Sequence, residues 1–199
     1  MNIKTFSNGL LDSNTYVVWD KKECMIVDMG VNPNEVIAFL NNLDVRVKYL
    51  VLTHGHIDHS HYVGDYINLY QTDAICHEDE HKVLIDEEAN VSKLVGYPCL
   101  YDYEYKFVRN DDTITVGDYE FKVLHMPGHT PGCICLLCEK EKIMFTGDVL
   151  FAQGIGRTDF KYGNQVQMID SLNKIRKLDR GITIYPGHGE SATLKSIYE

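Results

Sequence analysis

Thr53-His54-Gly55-His56-Ile57-Asp58-His59 follows directly on the apolar run Val47 to Leu52, and with His61 it places four histidines within eight residues. His54 and His56 are two apart, so in an extended segment their side chains point the same way and can hold one ion. Asp58 and His59 are adjacent. In an extended segment they point apart, at most one of them easily joins that ion, and the other contacts suggest a second.

Three more apolar, strand-like runs end in turns carrying metal-ligand residue types. Phe121 to Leu124 leads into Pro127-Gly128-His129, Ile143 to Phe145 into Gly147-Asp148, and Ile182 to Tyr185 into Pro186-Gly187-His188-Gly189. In layered α/β proteins the loops at strand ends converge on one edge of a rigid sheet, so four such turns can meet. His54, His56, Asp58, His59, His129, Asp148 and His188 make five imidazoles and two carboxylates, a nitrogen and oxygen set that suits zinc, iron or manganese. Seven ligands exceed the needs of one tetrahedral ion. If Asp148 bridges, each of two ions receives four protein contacts.

Elsewhere, Thr15 to Trp19 and Cys24 to Val27 read as a hairpin turned at Asp20-Lys21-Lys22, with Trp19 in the strand core. Asn32-Pro33 starts a helix with Val36, Ile37, Leu40 and Leu43 on one face, ending near Asn41-Asn42. Val166, Ile169, Leu172, Ile175 and Leu178 mark a later helix capped by Asn164.

With 19 basic against 29 acidic side chains the net charge is −10, which opposes binding to a phosphate backbone, so no nucleic-acid partner is expected. The longest apolar stretch, Cys133 to Cys138, is far short of the roughly 20 residues of a membrane span. The polar start of the chain lacks the apolar segment of a signal peptide, and the six irregularly spaced cysteines do not suggest a disulfide framework. A cytoplasmic protein is expected, with no membrane partner.

The segment from His54 to His59 resembles the His-x-His-x-Asp-His signature of the metallo-β-lactamase fold. Pro127-Gly128-His129-Thr130-Pro131-Gly132, Gly147-Asp148, Gly156-Arg157-Thr158-Asp159 and Pro186-Gly187-His188-Gly189 are similar, in order and spacing, to the hydroxyacylglutathione hydrolase (glyoxalase II) branch. The resemblance covers nearly the whole chain. It implies an α+β fold, a four-layer αβ/βα sandwich, with residues 1–199 as one domain in a short form lacking the C-terminal helical domain. It assigns a first metal ion to His54, His56 and His129, a second to Asp58, His59 and His188, and a bridging place to Asp148. The two divalent ions would be zinc first, with iron or manganese as alternatives.

The implied activity is hydrolysis of a small-molecule thioester by a hydroxide shared between the ions, since a divalent ion lowers the pKa of bound water to about 7. Asp58, a ligand placed to orient that nucleophile, is the catalytic candidate. Arg157 stands where the longer enzymes carry a glutathione-contacting lysine, so it is the substrate-binding candidate. Asp159 stands where they carry a tyrosine, and an Arg157–Asp159 ion pair is the competing reading. Alternatives on the same fold are persulfide dioxygenase, lactonase or phosphodiesterase activity, and a non-catalytic metal-binding module.

Other features carry less. His77-Glu78-Asp79-Glu80-His81 matches His-Glu-x-x-His but sits in an acidic cluster after a short strand, not on a clear helix. Cys135-Leu136-Leu137-Cys138 alternates as a buried strand does, which favours packing over redox chemistry. His61 and His125 lie near ligand residues and are candidates for supporting them.

Overall fold

The computed structural model describes residues 1–199. Six strands form a first sheet in chain order: β1 (Asn2–Phe6), β2 (Thr15–Asp20), β3 (Glu23–Val27), β4 (Arg46–Val51), β5 (Ala74–His77) and β6 (Tyr105–Val108). β1 to β3 pair antiparallel, with β2 and β3 forming the expected hairpin, while β3 to β6 pair parallel. The chain continues through β7 (Thr113–Val116), β8 (Tyr119–His125), β9 (Ile134–Cys138) and β10 (Ile143–Gly147). β11 (Leu150–Phe151) and β12 (Gly154–Ile155) pair only with each other, and β13 (Thr183–Pro186) and β14 (Ala192–Thr193) complete a second six-stranded sheet. Its order is β14-β13-β10-β9-β8-β7. Only β10 and β13 in it are parallel.

Parallel neighbours require crossovers, and all of the helices but the last lie in them. The helices are α1 (Pro33–Leu40), α2 (Ile57–Ser60), α3 (Val63–Tyr70), α4 (His81–Leu84), α5 (Gln165–Ile175) and α6 (Leu194–Tyr198). None is long and apolar enough to cross a membrane. The period-two alternation of the strands sorts their side chains into three cores. Tyr16, Val18, Met25 and Val27 meet Phe121, Val123, Leu136 and Phe145 between the sheets. Val17, Cys24 and Ile26 on the opposite face of the first sheet meet Val36 and Leu40 of α1 and Tyr66 of α3. Cys135, Leu137 and Met144 on the outer face of the second sheet meet Met168 and Ile175 of α5 and Leu194 of α6. The stack is helix, sheet, sheet, helix: the four-layer αβ/βα sandwich of the α+β class.

Local signals placed the helix starts well. Asn32 accepts from the Asn34 amide at the start of α1, and Asn164 accepts from the Gln167 amide at the start of α5. The buried face of α5 differs from the expected one. Val166 and Ile169 are 69% and 50% exposed, while Met168, Ser171 and Ile175 are buried. A strict repeat of three slips around a 3.6-residue helix by about 60° per step, so a stripe spaced that way cannot stay on one face. Met168 is fixed instead by Gly128, where a Cβ would collide with the Met168 backbone. Trp19 is only partly buried, packed edge-on against Phe39 of α1 at 5.4 Å. Cys135 and Cys138 lie in different cores on opposite faces of β9, and all six cysteines are free.

Candidate metal centre

The four strand-end turns converge as expected. His54 and His56 follow β4, His129 follows β8, Asp148 follows β10 and His188 follows β13. The expectation for Asp58 and His59 assumed an extended chain, and this requires correction. Both lie on the single turn of α2, with His56 at its N-cap. Successive helical side chains are about 100° apart, not 180°, so both residues reach the same group.

Two donor sets result. The ligand atoms of His54, His56 and His129 lie within 4.8 Å of one another, as do those of Asp58, His59 and His188. In the second set His188 Nε2 is 3.1 Å and His59 Nε2 3.4 Å from Asp58 Oδ2. Asp148 stands between the sets. Its Oδ2 is 3.5 Å from His129 Nε2 and 3.6 Å from His188 Nε2, and its Oδ1 is 3.4 Å from His59 Nε2. Gly187 allows this approach, because a Cβ there would strike Asp148 Oδ1 and come 2.8 Å from His59 Cε1.

Nε2 of His54, His56 and His129 and Oδ1 of Asp148 are buried without a hydrogen-bond partner. Such orphaned atoms are costly in an interior unless something satisfies them. Nitrogen–metal bonds of about 2.0 to 2.1 Å put two ligands of a tetrahedral ion about 3.3 Å apart, close to the separations around Asp148. These residues fit a pair of divalent ions.

Two residues that the sequence did not single out hold the ligands in place. Asp28 follows β3 directly and has a left-handed backbone, φ 58°. Its carboxylate accepts from the Thr53 amide at 2.7 Å, Thr53 Oγ1 at 2.8 Å and His59 Nδ1 at 2.9 Å. Thr53 Oγ1 in turn lies 3.1 Å from His54 Nδ1 and accepts its proton. One carboxylate thereby fixes the tautomers of a histidine in each donor set, leaving both Nε2 lone pairs free. His129 Nδ1 donates to the Arg157 carbonyl at 2.7 Å, with the same effect.

Glu80 is the second. Its fully buried carboxyl takes the Gly55 amide at 2.7 Å, Thr130 Oγ1 at 2.8 Å and the Gly132 amide at 2.8 Å. Gly55 sits between His54 and His56, and Thr130 follows His129, so Glu80 ties together the two loops of the first donor set. Burial pushes this carboxyl up to about 7, against the pull of its three donors.

Electrostatics divides the two sets. Burial holds the imidazoles of His54, His56 and His129 below their ordinary range. Burial acts the same way on His59 and His188, but the carboxylates of Asp58 and Asp148 outweigh it and raise both. Burial opposes the charge on Asp58 in turn, and His59 and His188 overcome it to hold that carboxyl low.

The centre opens into a cleft of about 510 Å³. Arg157 lines it, but its guanidinium makes two 2.6 Å hydrogen bonds to Asp159 and lies 4.0 Å from the Phe160 ring centroid. The His77 to His81 motif does not form the helical two-histidine arrangement its pattern requires, although the ligand atoms of His77, Asp79 and His125 lie within 4.8 Å of one another. His77 ends β5 and accepts from the Asp79 amide, a 3-10 turn intervenes, and His81 begins α4, so no single helix presents both histidines. His125 stacks on His77 at 3.8 Å and donates to the Pro131 carbonyl, bracing the His129 loop. His61 packs against Tyr62 and Tyr97 instead of supporting a ligand.

A two-sheet sandwich with histidine and aspartate clusters at one edge defines a class of metal-binding proteins in which loops, not the sheets, set the chemistry. The chain belongs to the metallo-beta-lactamase superfamily, whose family model matches residues 8–188. It is 33% identical to hydroxyacylglutathione hydrolase GloC of Haemophilus influenzae, over 98% of this chain and 93% of that protein. Among solved structures it is similar to the BLEG-1 B3 metallo-beta-lactamase, with 31% identity, a TM-score of 0.90 and coverage of 98% and 95%. TTHA1623 in a di-iron-bound form shares the fold at a TM-score of 0.87 and 23% identity, covering 97% and 96%. The protein is accordingly a metallo-beta-lactamase superfamily hydrolase with His/Asp clusters suited to a binuclear metal site.

Proposed function

We propose that this protein hydrolyses a small-molecule thioester at a binuclear centre, with His54, His56 and His129 holding one ion, Asp58, His59 and His188 the other, and Asp148 both. The observation that carries the reading is the pairing of two complete donor sets across one carboxylate at the floor of an open cleft. When bound, the ions supply Lewis acidity and make water acidic enough to attack an acyl carbon near neutral pH. The protein's own part is positional. Asp28 and the Arg157 carbonyl fix ring tautomers, and Asp58, 10% exposed, is the acidic group that both orients the attacking water and binds metal. No serine or cysteine nucleophile is required. The relationship to a hydroxyacylglutathione hydrolase supports a thioester over other acyl substrates, and the complete second donor set supports hydrolysis over one-iron oxidation. Zinc is the proposed native metal and the cytoplasm the proposed setting, with neither nucleic acid nor membrane as partner.

The test loads the metal-free protein with zinc, iron or manganese and offers each form S-lactoylglutathione, simpler acyl thiols, a lactone, a phosphodiester and a β-lactam. Metal-dependent turnover confined to the thioesters is expected. Faster turnover of any other class would replace the reading. Asp148→Ala should lose both ions while His188→Ala keeps one, and equal metal content in the two variants would remove Asp148 from its bridging place.

A further inference from the structure

The mouth of the cleft is apolar where a water-exposed surface would ordinarily be polar. Leu11, Leu94, Val95, Phe151, Ile155 and Phe160 line it, and Leu94 is 71% exposed. Exposed apolar side chains gathered at a cleft, not scattered singly, mark a place that an apolar ligand covers. Charge at the same wall is arranged to match. Arg157 is the one lysine or arginine lining the cleft, and the bidentate Nε–Nη2 edge of its guanidinium is occupied by the Asp159 carboxylate. Phe160 beneath the guanidinium keeps the pair seated. Lys161, the next cation along the chain, is bound to Asp86 at 2.7 Å. A substrate carboxylate arriving here meets cations already neutralised by carboxylates, and must displace Asp159 to gain the Nε–Nη2 edge of Arg157.

Taking the thioester reading as its starting point, we propose that Asp159 is a specificity-determining residue. It withholds Arg157, so that the cleft selects thioesters whose arm along this wall is apolar and free of carboxylates. Because the pair is exposed, its advantage over a competing carboxylate is modest, and the selectivity it imposes is severalfold, not thousandfold.

The experiment separates binding from turnover. Zinc-loaded protein is titrated calorimetrically with two non-hydrolysable thioethers, S-hexylglutathione and S-hexyl-N-acetylcysteamine, which share an alkyl arm and differ in charge. The wild type should bind the uncharged compound at least as tightly, and replacing hexyl by methyl should weaken binding at least tenfold. Asp159→Asn should tighten the glutathione compound three- to tenfold and leave the uncharged one unchanged. Metal content confirms that the His129–Arg157 contact survives. A wild type that binds S-hexylglutathione tenfold more tightly than its partner overturns the proposal. So does an Asp159→Asn variant that shifts neither compound or both alike, and loss of the alkyl dependence overturns its apolar half. Failure to turn over the hexanoyl thioesters of either thiol would instead remove the thioesterase reading, while the thioether pattern still decides what the cleft selects.

Discussion

His59 Nδ1 donates to Asp28 Oδ2 at 2.9 Å across 31 residues of chain, and through this contact a buried strand-end carboxylate sets which nitrogen of His59 faces the donor cluster. Thr53 extends the same control to His54, so Asp28 acts on both donor sets at once. Asp28→Asn keeps the shape but removes the charge and one acceptor, and lets His59 turn to the other tautomer. Metal affinity should fall about 10- to 100-fold, as for other groups that orient metal-bound histidines. Competition with a chelator of known affinity measures this, and an unchanged affinity would leave Asp28 with only a packing role.

Glu80→Gln should cost about 1 to 3 kcal/mol, because whichever way the new amide turns, its NH2 meets an amide N–H of Gly55 or Gly132. Denaturant unfolding of the metal-free protein reads it directly. The folded carboxyl, at about 7, lies above its ordinary value of 4.5, so between these values the fold holds a proton that the unfolded chain has released. Stability from this group is therefore fullest below about 4.5 and declines as pH rises toward 7. The gap between wild type and Glu80→Gln should narrow over that window, and a widening gap would reverse the assigned direction.

Falling pH should empty the second donor set before the first. His59 and His188 are raised above the ordinary histidine range, so protons compete for them earlier than for the lowered His54, His56 and His129. Dialysis at stepped pH from 8 to 5, followed by metal analysis, should show a plateau near one ion per chain. His188→Ala should lack the upper step. A single step removing both ions together would show that the two sets do not titrate apart.

On α5, Met168→Ala should destabilise by about 2 to 5 kcal/mol, because it opens a hole in the outer core against the His129 loop. Val166→Ser and Ile169→Ser should each change stability by about 0.5 kcal/mol or less, since both side chains already face water. Thermal or denaturant unfolding of the three variants checks the helix orientation, and comparable losses in all three would place the buried face elsewhere.

The seven residues gathered at the sheet edge were legible in the sequence as metal-ligand residue types just beyond apolar strand runs, because strand and turn chemistry are local, but the helical turn that carries Asp58 and His59 was not. The caps at Asn32 and Asn164 and the alternation of β9 were legible for the same reason. Local pattern failed where a side chain's surroundings come from distant chain. Asp28 carries no local signal of its role, because its partners are Thr53 and His59. Glu80 reads as one of three acidic neighbours, yet the 3-10 turn at Glu78–Glu80 rotates it alone into the interior, where Gly55 and Gly132 wait from two separate loops. Val166 and Ile169 carry the apolar signal on α5, but Gly128 admits the backbone at Met168 and so decides which face is buried. Arg157 shows the same division. Its charge is written in the chain, but whether that charge is free to bind a ligand is decided by the loop fold that closes it onto Asp159 and lays it over Phe160.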